Sequence, residues 1–121
     1  MKAILYMSEK AQQQAQVETY LRQHVPGIHT QTLSSADELL HYLRRPLNRI
    51  SVVVLFTASR TALEGLVPLV PLLENIRVIL ALPDRKRSTL AIGVKFSPSF
   101  VTYMDDNLAD IAAVLKKIQK I

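Results

Sequence analysis

The sequence contains no cysteine, few aromatic residues and only three glycines among its 121 residues. Without cysteine it has no disulfide framework, no thiolate nucleophile and no cysteine-based zinc site. Three glycines cannot form the glycine-rich loops that bind nucleotide phosphates. No apolar stretch approaches the roughly 20 residues of a transmembrane helix, and the N-terminus lacks a signal-peptide pattern. These absences predict a cytoplasmic protein that does not enter a membrane.

The charge is unbalanced, with 15 lysines and arginines against 10 aspartates and glutamates and a net charge of +5. Such a balance can indicate nucleic-acid binding. The cations, however, are scattered along the chain, and aromatic residues make up only 6% of it. Stacking surfaces for bases are therefore scarce. Direct nucleic-acid binding is not expected.

Five short apolar segments rich in β-branched residues alternate with helical patterns. The segments cover residues 3–7, 28–33, 50–56, 76–82 and 100–104. Most of them do not alternate apolar and polar residues, which is typical of strands buried on both faces, whereas 28–33 does alternate and resembles an edge strand. Strands that alternate with helices predict a parallel sheet covered on both sides. The length fits one domain over residues 1–121.

The helix ends can be placed from local signals. Ser35 followed by Glu38 forms a capping box, and Asn107 can cap the last helix. Two prolines within residues 66–73 must kink or shorten a helix there, because each proline beyond the first turn costs about 3 kcal/mol. Residues 87–92 are expected to form only a short helix that ends before the following glycine.

Several features share one register along the chain. The apolar strand Ile4-Leu5-Tyr6-Met7 precedes Ser8-Glu9, Gly65-Leu66 lies eight residues after Thr57, and Asp105-Asp106-Asn107-Leu108 leads into an amphipathic last helix. In these features the whole chain resembles the receiver domain of response regulators, the CheY-like family. The resemblance implies a flavodoxin-like (βα)₅ fold, a doubly wound parallel five-stranded sheet in the order 2-1-3-4-5, and a role in two-component or phosphorelay signal transduction.

The same register shows where the chain departs from a working receiver. Ser8-Glu9 stands where the family has an acidic pair, and Thr57 stands where it has the phospho-accepting aspartate. Leu82 replaces the switch hydroxyl, and Met104 replaces the lysine. Mg²⁺ requires several oxygen ligands, and threonine cannot form an acyl phosphate. We therefore expect a degenerate pseudo-receiver with no catalytic residues, no metal, no cofactor and no aspartyl phosphorylation.

Two surfaces are candidates for binding. Ligands of parallel α/β sheets bind at the carboxyl ends of the strands, where Arg60, Arg85 and Arg87 are predicted to contact an anion or an acidic partner. Receivers often pair through the fourth helix, fifth strand and last helix. On that face the candidates for a dimer contact are Leu90, Ile92, Tyr103 and Lys116, unless the apolar ones belong to the core.

These observations predict a non-catalytic, receiver-like signalling module that acts through protein–protein contact. Its partners would be other signalling proteins or a second copy of the chain. Two alternatives remain open: a flavodoxin-like domain that binds a small anion or a cofactor, and the regulatory domain of a DNA-binding regulator.

Overall fold

The structure is a computed structural model that describes residues 1–8, 11–45, 50 and 52–120. Strands and helices alternate along these residues. The strands are β1 (Lys2–Met7), β2 (His29–Leu33), β3 (Val52–Phe56), β4 (Arg77–Leu82) and β5 (Phe100–Tyr103). The helices are α1 (Ala11–His24), α2 (Ala36–Leu43), α3 (Arg60–Leu66), the 3₁₀ helix (Val67–Leu73), α4 (Arg87–Val94) and α5 (Ala109–Gln119).

All five strands are parallel and lie in the order β2-β1-β3-β4-β5. The expected α/β, flavodoxin-like (βα)₅ fold is therefore confirmed. The three central strands, β1, β3 and β4, are buried along almost their whole length. Strand β2 alternates exposed and half-buried residues because it lies at an edge.

The sheet separates two apolar layers. Ile4, Leu55 and Leu80 point to the layer shared with α2, α3, the 3₁₀ helix and α4. Leu5 and Val54 point to the opposite layer, which α1 and α5 cover. Successive residues of a strand face opposite sides of the sheet. A strand that is buried on both faces therefore has an uninterrupted run of apolar residues in its sequence.

The cap predicted at Ser35 is present, whereas Asn107 lies one position before the N-cap residue of α5, which is Leu108. The Ser35 hydroxyl accepts a hydrogen bond from the Glu38 backbone N–H at 3.1 Å. The Asn107 side-chain oxygen accepts one from the Ala109 backbone N–H at 2.8 Å. Both bonds satisfy N–H groups that have no partner inside a first helical turn.

The proline-containing segment is shortened as expected. Helix α3 ends at Leu66, and the chain continues as a 3₁₀ helix that contains Pro68 and Pro71. A proline has no N–H to donate to the preceding turn. The tighter, shorter 3₁₀ form accommodates this loss.

The expected end of the fourth helix was wrong. Helix α4 does not stop before Gly93 but includes it and ends at Val94. A Cβ atom at Gly93 would lie 3.0 Å from Leu80 Cδ2 and 3.2 Å from Leu82 Cδ2. The glycine therefore allows α4 to lie close against β4, and it does not mark the end of the helix.

A turn connects α1 to β2 and also contacts the last helix. Gly27 has a φ of +76°, a conformation that favours glycine. The Gln119 side chain of α5 donates a hydrogen bond to the Pro26 carbonyl at 2.6 Å. Among the described residues, none of the helices has the length and apolar character needed to cross a membrane.

Candidate functional site

The strand ends bring the predicted receiver positions to one edge of the sheet. Ser8, Thr57 and Met104 directly follow β1, β3 and β5, and Leu82 is the last residue of β4. Because parallel strands end at the same edge, these four positions lie side by side. Glu9, the fifth position, lies outside the described residues.

Thr57 occupies a closed environment. Its side chain is fully buried. Its backbone N–H donates a hydrogen bond to the Ala81 carbonyl at 3.1 Å, and its hydroxyl donates another to the same oxygen at 2.6 Å. Thr57 therefore extends the pairing of β3 with β4 by one residue, and its hydroxyl is not presented to solvent.

Leu82 and Met104 give this edge an apolar character. Leu82 is fully buried in the layer covered by α4. Met104 is half-buried and packs against the opposite layer, which α1 and α5 cover. The two side chains therefore lie on different faces of the sheet, and neither carries a charge.

Arg85 connects two loops of this edge. Its Nη1 lies 2.8 Å from Asp105 Oδ2 and its Nη2 lies 3.1 Å from Asp106 Oδ1. The guanidinium carbon lies 4.2 Å from the centre of the Tyr103 ring, within the range of a cation–π contact. The hydrogen bond from Arg85 lowers the pKa of the Asp105 carboxyl and raises the pKa of the guanidinium. Arg85 thus joins the loop after β4 to the loop after β5.

The acidic side chains at this edge form hydrogen bonds with groups of the same loops and strand ends. Asp106 also accepts a hydrogen bond from the Thr102 hydroxyl at 3.0 Å. The Lys86 backbone N–H donates to Asp84 at 2.9 Å, and this bond lowers the pKa of the Asp84 carboxyl. The nearby Thr89 hydroxyl lowers the pKa of Asp84 further. This hydroxyl is buried, and it forms no hydrogen bond of normal geometry with any described residue.

The three predicted anion-binding arginines do not point to one place. Arg60 lies 3.0 Å from Glu64, and it donates a hydrogen bond to Ser88 in the first turn of α4 at 3.0 Å. Arg87 begins the same turn and is exposed, without an ion pair to any described residue. Arg85 is engaged by the two aspartates on the other side of α4. The anion site stays a prediction, and Arg87 is the one of these three arginines that is not already paired with a described carboxylate.

The predicted dimer face contains two exposed apolar residues of α4. Leu90 is 42% exposed and Val94, one turn further on, is 63% exposed. Ile92 and Tyr103 are half-buried and pack partly against the core, whereas Lys116 on α5 is exposed. Val94 was not predicted from the sequence, although its spacing of four residues from Leu90 could have indicated it. Pairing through this face stays a prediction.

A cavity of about 280 Å³ opens at the same edge, on the face covered by α1 and α5. Its lining includes Met7 of β1, Met104 directly after β5, and Val17 and Ile111 of the helices. The cavity was not predicted from the sequence. The signal that could have indicated it is the run of glutamines in the first half of α1, where large apolar side chains are lacking.

Carboxylates do not gather into a metal site in the part of the chain that the structure describes. No group of three or more histidine, aspartate or glutamate side chains there has a geometry that could hold an ion. The aspartates of this edge contact Arg85 and backbone N–H groups instead.

No protein-family model matches the chain, and no curated protein matches it either. The solved structures similar to it include two that we describe. A LuxR family DNA-binding response regulator from Silicibacter pomeroyi has a TM-score of 0.75 and 13% identity, over 99% of this chain and 93% of that one. A Burkholderia thailandensis protein named for pilus assembly, cpaE, has a TM-score of 0.69 and 14% identity, over 100% and 99%. The chain therefore has a receiver-like, flavodoxin-like fold.

Proposed function

We propose that the chain is a non-catalytic, receiver-like signalling module that is not phosphorylated at aspartate and acts by contacting other proteins. The observation that carries this proposal is the state of Thr57, at the end of the third strand. In the receiver register this residue replaces the phospho-accepting aspartate. It is fully buried, and its hydroxyl is bonded to a carbonyl of β4.

The chemistry around Thr57 supports the same proposal. An alcohol cannot form the acyl phosphate of a receiver. Phosphoryl transfer depends on charges and a metal placed around the transferred group, and Leu82 and Met104 supply apolar side chains where the register expects a hydroxyl and an ammonium group. Asp105 and Asp106 are already paired with Arg85.

The surface proposed for protein contact is the exposed side of α4. We define it as the α4 face, formed by Leu90 and Val94. Apolar side chains that are exposed together mark interaction sites more often than single ones do. The receiver register also predicts a charge at the edge of this region from Lys116 of α5, which is exposed. A second copy of the chain or another signalling protein could cover the α4 face.

Phosphorylation is tested by incubation with Mg²⁺ and acetyl phosphate, followed by intact-mass measurement. A working receiver treated in parallel is the positive control. We expect no phosphorylated product from this chain. A Thr57→Asp variant should also remain unmodified, because the neighbouring positions still lack the required groups. A phosphoaspartate in the unmodified chain would overturn the proposal.

Contact through the α4 face is tested by measuring molar mass in solution over a range of concentrations. Leu90→Lys and Val94→Lys place a charge in the face, whereas Ala91→Lys places the same charge on an exposed position of the same helix. If two copies pair through this face, the first two variants should weaken self-association about tenfold or more, a loss of ~1.4 kcal/mol. Equal effects of all three variants would contradict this use of the α4 face.

A second candidate is the regulatory domain of a DNA-binding regulator, because one of the similar structures described above is a DNA-binding response regulator. In that case this chain would regulate DNA binding without contacting the duplex itself. We therefore expect no binding of arbitrary duplex by the chain alone at moderate salt. Duplex binding that falls steeply with added salt would instead assign a nucleic-acid contact to the chain.

A further inference from the structure

The cavity at the carboxyl edge has an apolar floor made by three neighbouring strands. Met7, Phe56 and Ala81 are paired in register across β1, β3 and β4, and each is at most 4% exposed. Ala81 is the smallest of the three. It lies directly beside Phe56, and its short side chain occupies less of the cavity than a larger one would.

The helices explain why the space is not filled. In its second half α1 contributes Leu21, which is fully buried in this layer. In its first half it contributes Gln13, Gln16 and the half-buried Val17, all of which line the cavity. Glutamine side chains favour water over an apolar interior. Among the described residues, the layer is therefore packed near the amino ends of the strands and leaves a cavity near their carboxyl ends.

The size of the space suits a small organic molecule. An apolar cavity of about 150 Å³ accepts benzene in a well-studied case. The cavity here is about 280 Å³, just below the roughly 300–1,000 Å³ of ligand sites. It therefore has room for a molecule of one or two rings.

The lining selects the chemistry of that molecule. Met7 and Met104 bring two flexible thioethers, which adapt their shape and make favourable contacts with aromatic rings. Among the described residues of the lining, the one acidic side chain is Asp106, which shares Arg85 with Asp105 and accepts a hydrogen bond from the Thr102 hydroxyl, so its oxygens are engaged within the loop. The exposed carboxamides of Gln13 and Gln16 can donate and accept hydrogen bonds. These features favour an uncharged ligand.

We propose that this cavity binds a small, uncharged aromatic molecule that carries a hydrogen-bonding group, with its ring on the floor and its polar group at the glutamines. This inference goes beyond the proposed signalling function and does not depend on it. The site lies at the edge where a receiver is phosphorylated, but on the face of the sheet covered by α1 and α5.

The methionines provide a direct test. The chain has three: Met7 and Met104 line the cavity, whereas Met1 precedes the opposite end of β1. The protein is labelled with ¹³C at the methionine methyl groups and titrated with indole as the probe. We expect saturable shifts of the Met7 and Met104 signals and an unchanged Met1 signal.

Two substitutions fill the cavity from different sides. Val17→Phe adds a ring from α1, and Ala81→Leu fills the hollow in the floor. Val67→Phe is the matched control, because it changes a half-buried valine on the opposite face of the sheet. We expect indole to bind about tenfold more weakly to either filled variant, a change of ~1.4 kcal/mol, and with nearly unchanged affinity to the control.

Several results would overturn the proposal. These are the absence of saturable shifts in the unmodified chain up to the solubility limit of indole, equal shifts at Met1, and unchanged affinity in a folded cavity-filling variant. The titration of the unmodified chain decides by itself if neither variant folds. Because no step involves phosphorylation or a protein partner, a negative result leaves the proposed signalling function unaffected, and the reverse also holds.

Discussion

Replacing Gly93 with alanine tests whether α4 depends on a close approach to the sheet. The new Cβ would lie 3.0 Å from Leu80 Cδ2 and 3.2 Å from Leu82 Cδ2, and both leucines are fully buried. The chain also offers a matched control. Gly65 is likewise the last residue but one of its helix, α3, and a Cβ there would meet no atom within 4 Å.

The expected magnitude follows from two opposing effects. Alanine in place of glycine stabilises a helix by about 0.5–1 kcal/mol. Gly65→Ala should therefore raise the free energy of unfolding by about that amount. Gly93→Ala has the same gain but adds a methyl group to a packed core, which costs about 1–3 kcal/mol. The helix contribution cancels between the two variants, so Gly93→Ala should be less stable than Gly65→Ala by about 1–3 kcal/mol.

Urea unfolding followed by far-UV circular dichroism measures this difference. For a chain of this length each kcal/mol should also change the melting temperature by about 3–6 °C. Equal slopes of the unfolding free energy against urea would show that both variants unfold in the same way. If Gly93→Ala proves as stable as Gly65→Ala, the leucines of β4 can move to accommodate the methyl group without loss of stability. The close approach of α4 to the sheet would then not require a glycine.

Three further substitutions test individual contacts. Arg85→Gln should raise the pKa of the Asp105 carboxyl towards its ordinary value, measured by NMR titration, while Arg87→Gln should leave it unchanged. Because folding lowers this pKa, the pair stabilises the native state above about pH 3.9 and loses that contribution as pH falls through the folded value. Thr57→Val should lower the free energy of unfolding by about 0.5–1.5 kcal/mol, since it removes a buried hydrogen bond. Ser59→Ala should lower it by about 1 kcal/mol through loss of the cap of α3. Urea unfolding measures both, and unchanged stability would contradict either reason.

The sheet could be predicted from the sequence because burial on both faces leaves a local signal. Strand β3 is apolar throughout, and edge strand β2 alternates, so each type of strand is recognisable within a few residues. Capping at Ser35 is equally local, since the partner lies three residues away. Signals of this kind need no knowledge of distant neighbours.

The features that were missed depend on residues that are far apart along the chain. Gly93 resembles a helix end until Leu80 and Leu82 are known to lie beside it. Arg85 meets its aspartates only after 20 and 21 residues. The cavity is lined by several strand ends and two helices, so the glutamine run of α1 indicates it only once those neighbours are known.

The position of the candidate site could be predicted from the sequence, but the contacts of its side chains could not. The strand ends placed Thr57 and Met104 at one edge, as the register required. The sequence could not show that the threonine hydroxyl is bonded to a carbonyl or that the methionine lines a cavity. Both depend on which face of the sheet each side chain meets.

The packing of α5 has a consequence for the order in which the protein can be synthesised and folded. Ile111 and Leu115 cover the layer that Leu5 and Val54 help to form, and Gln119 is bonded to the turn after α1. A nascent chain that lacks α5 leaves part of this side of its sheet uncovered, although α1 already packs there. Chaperones and proteases would therefore encounter an exposed apolar surface until translation has passed α5.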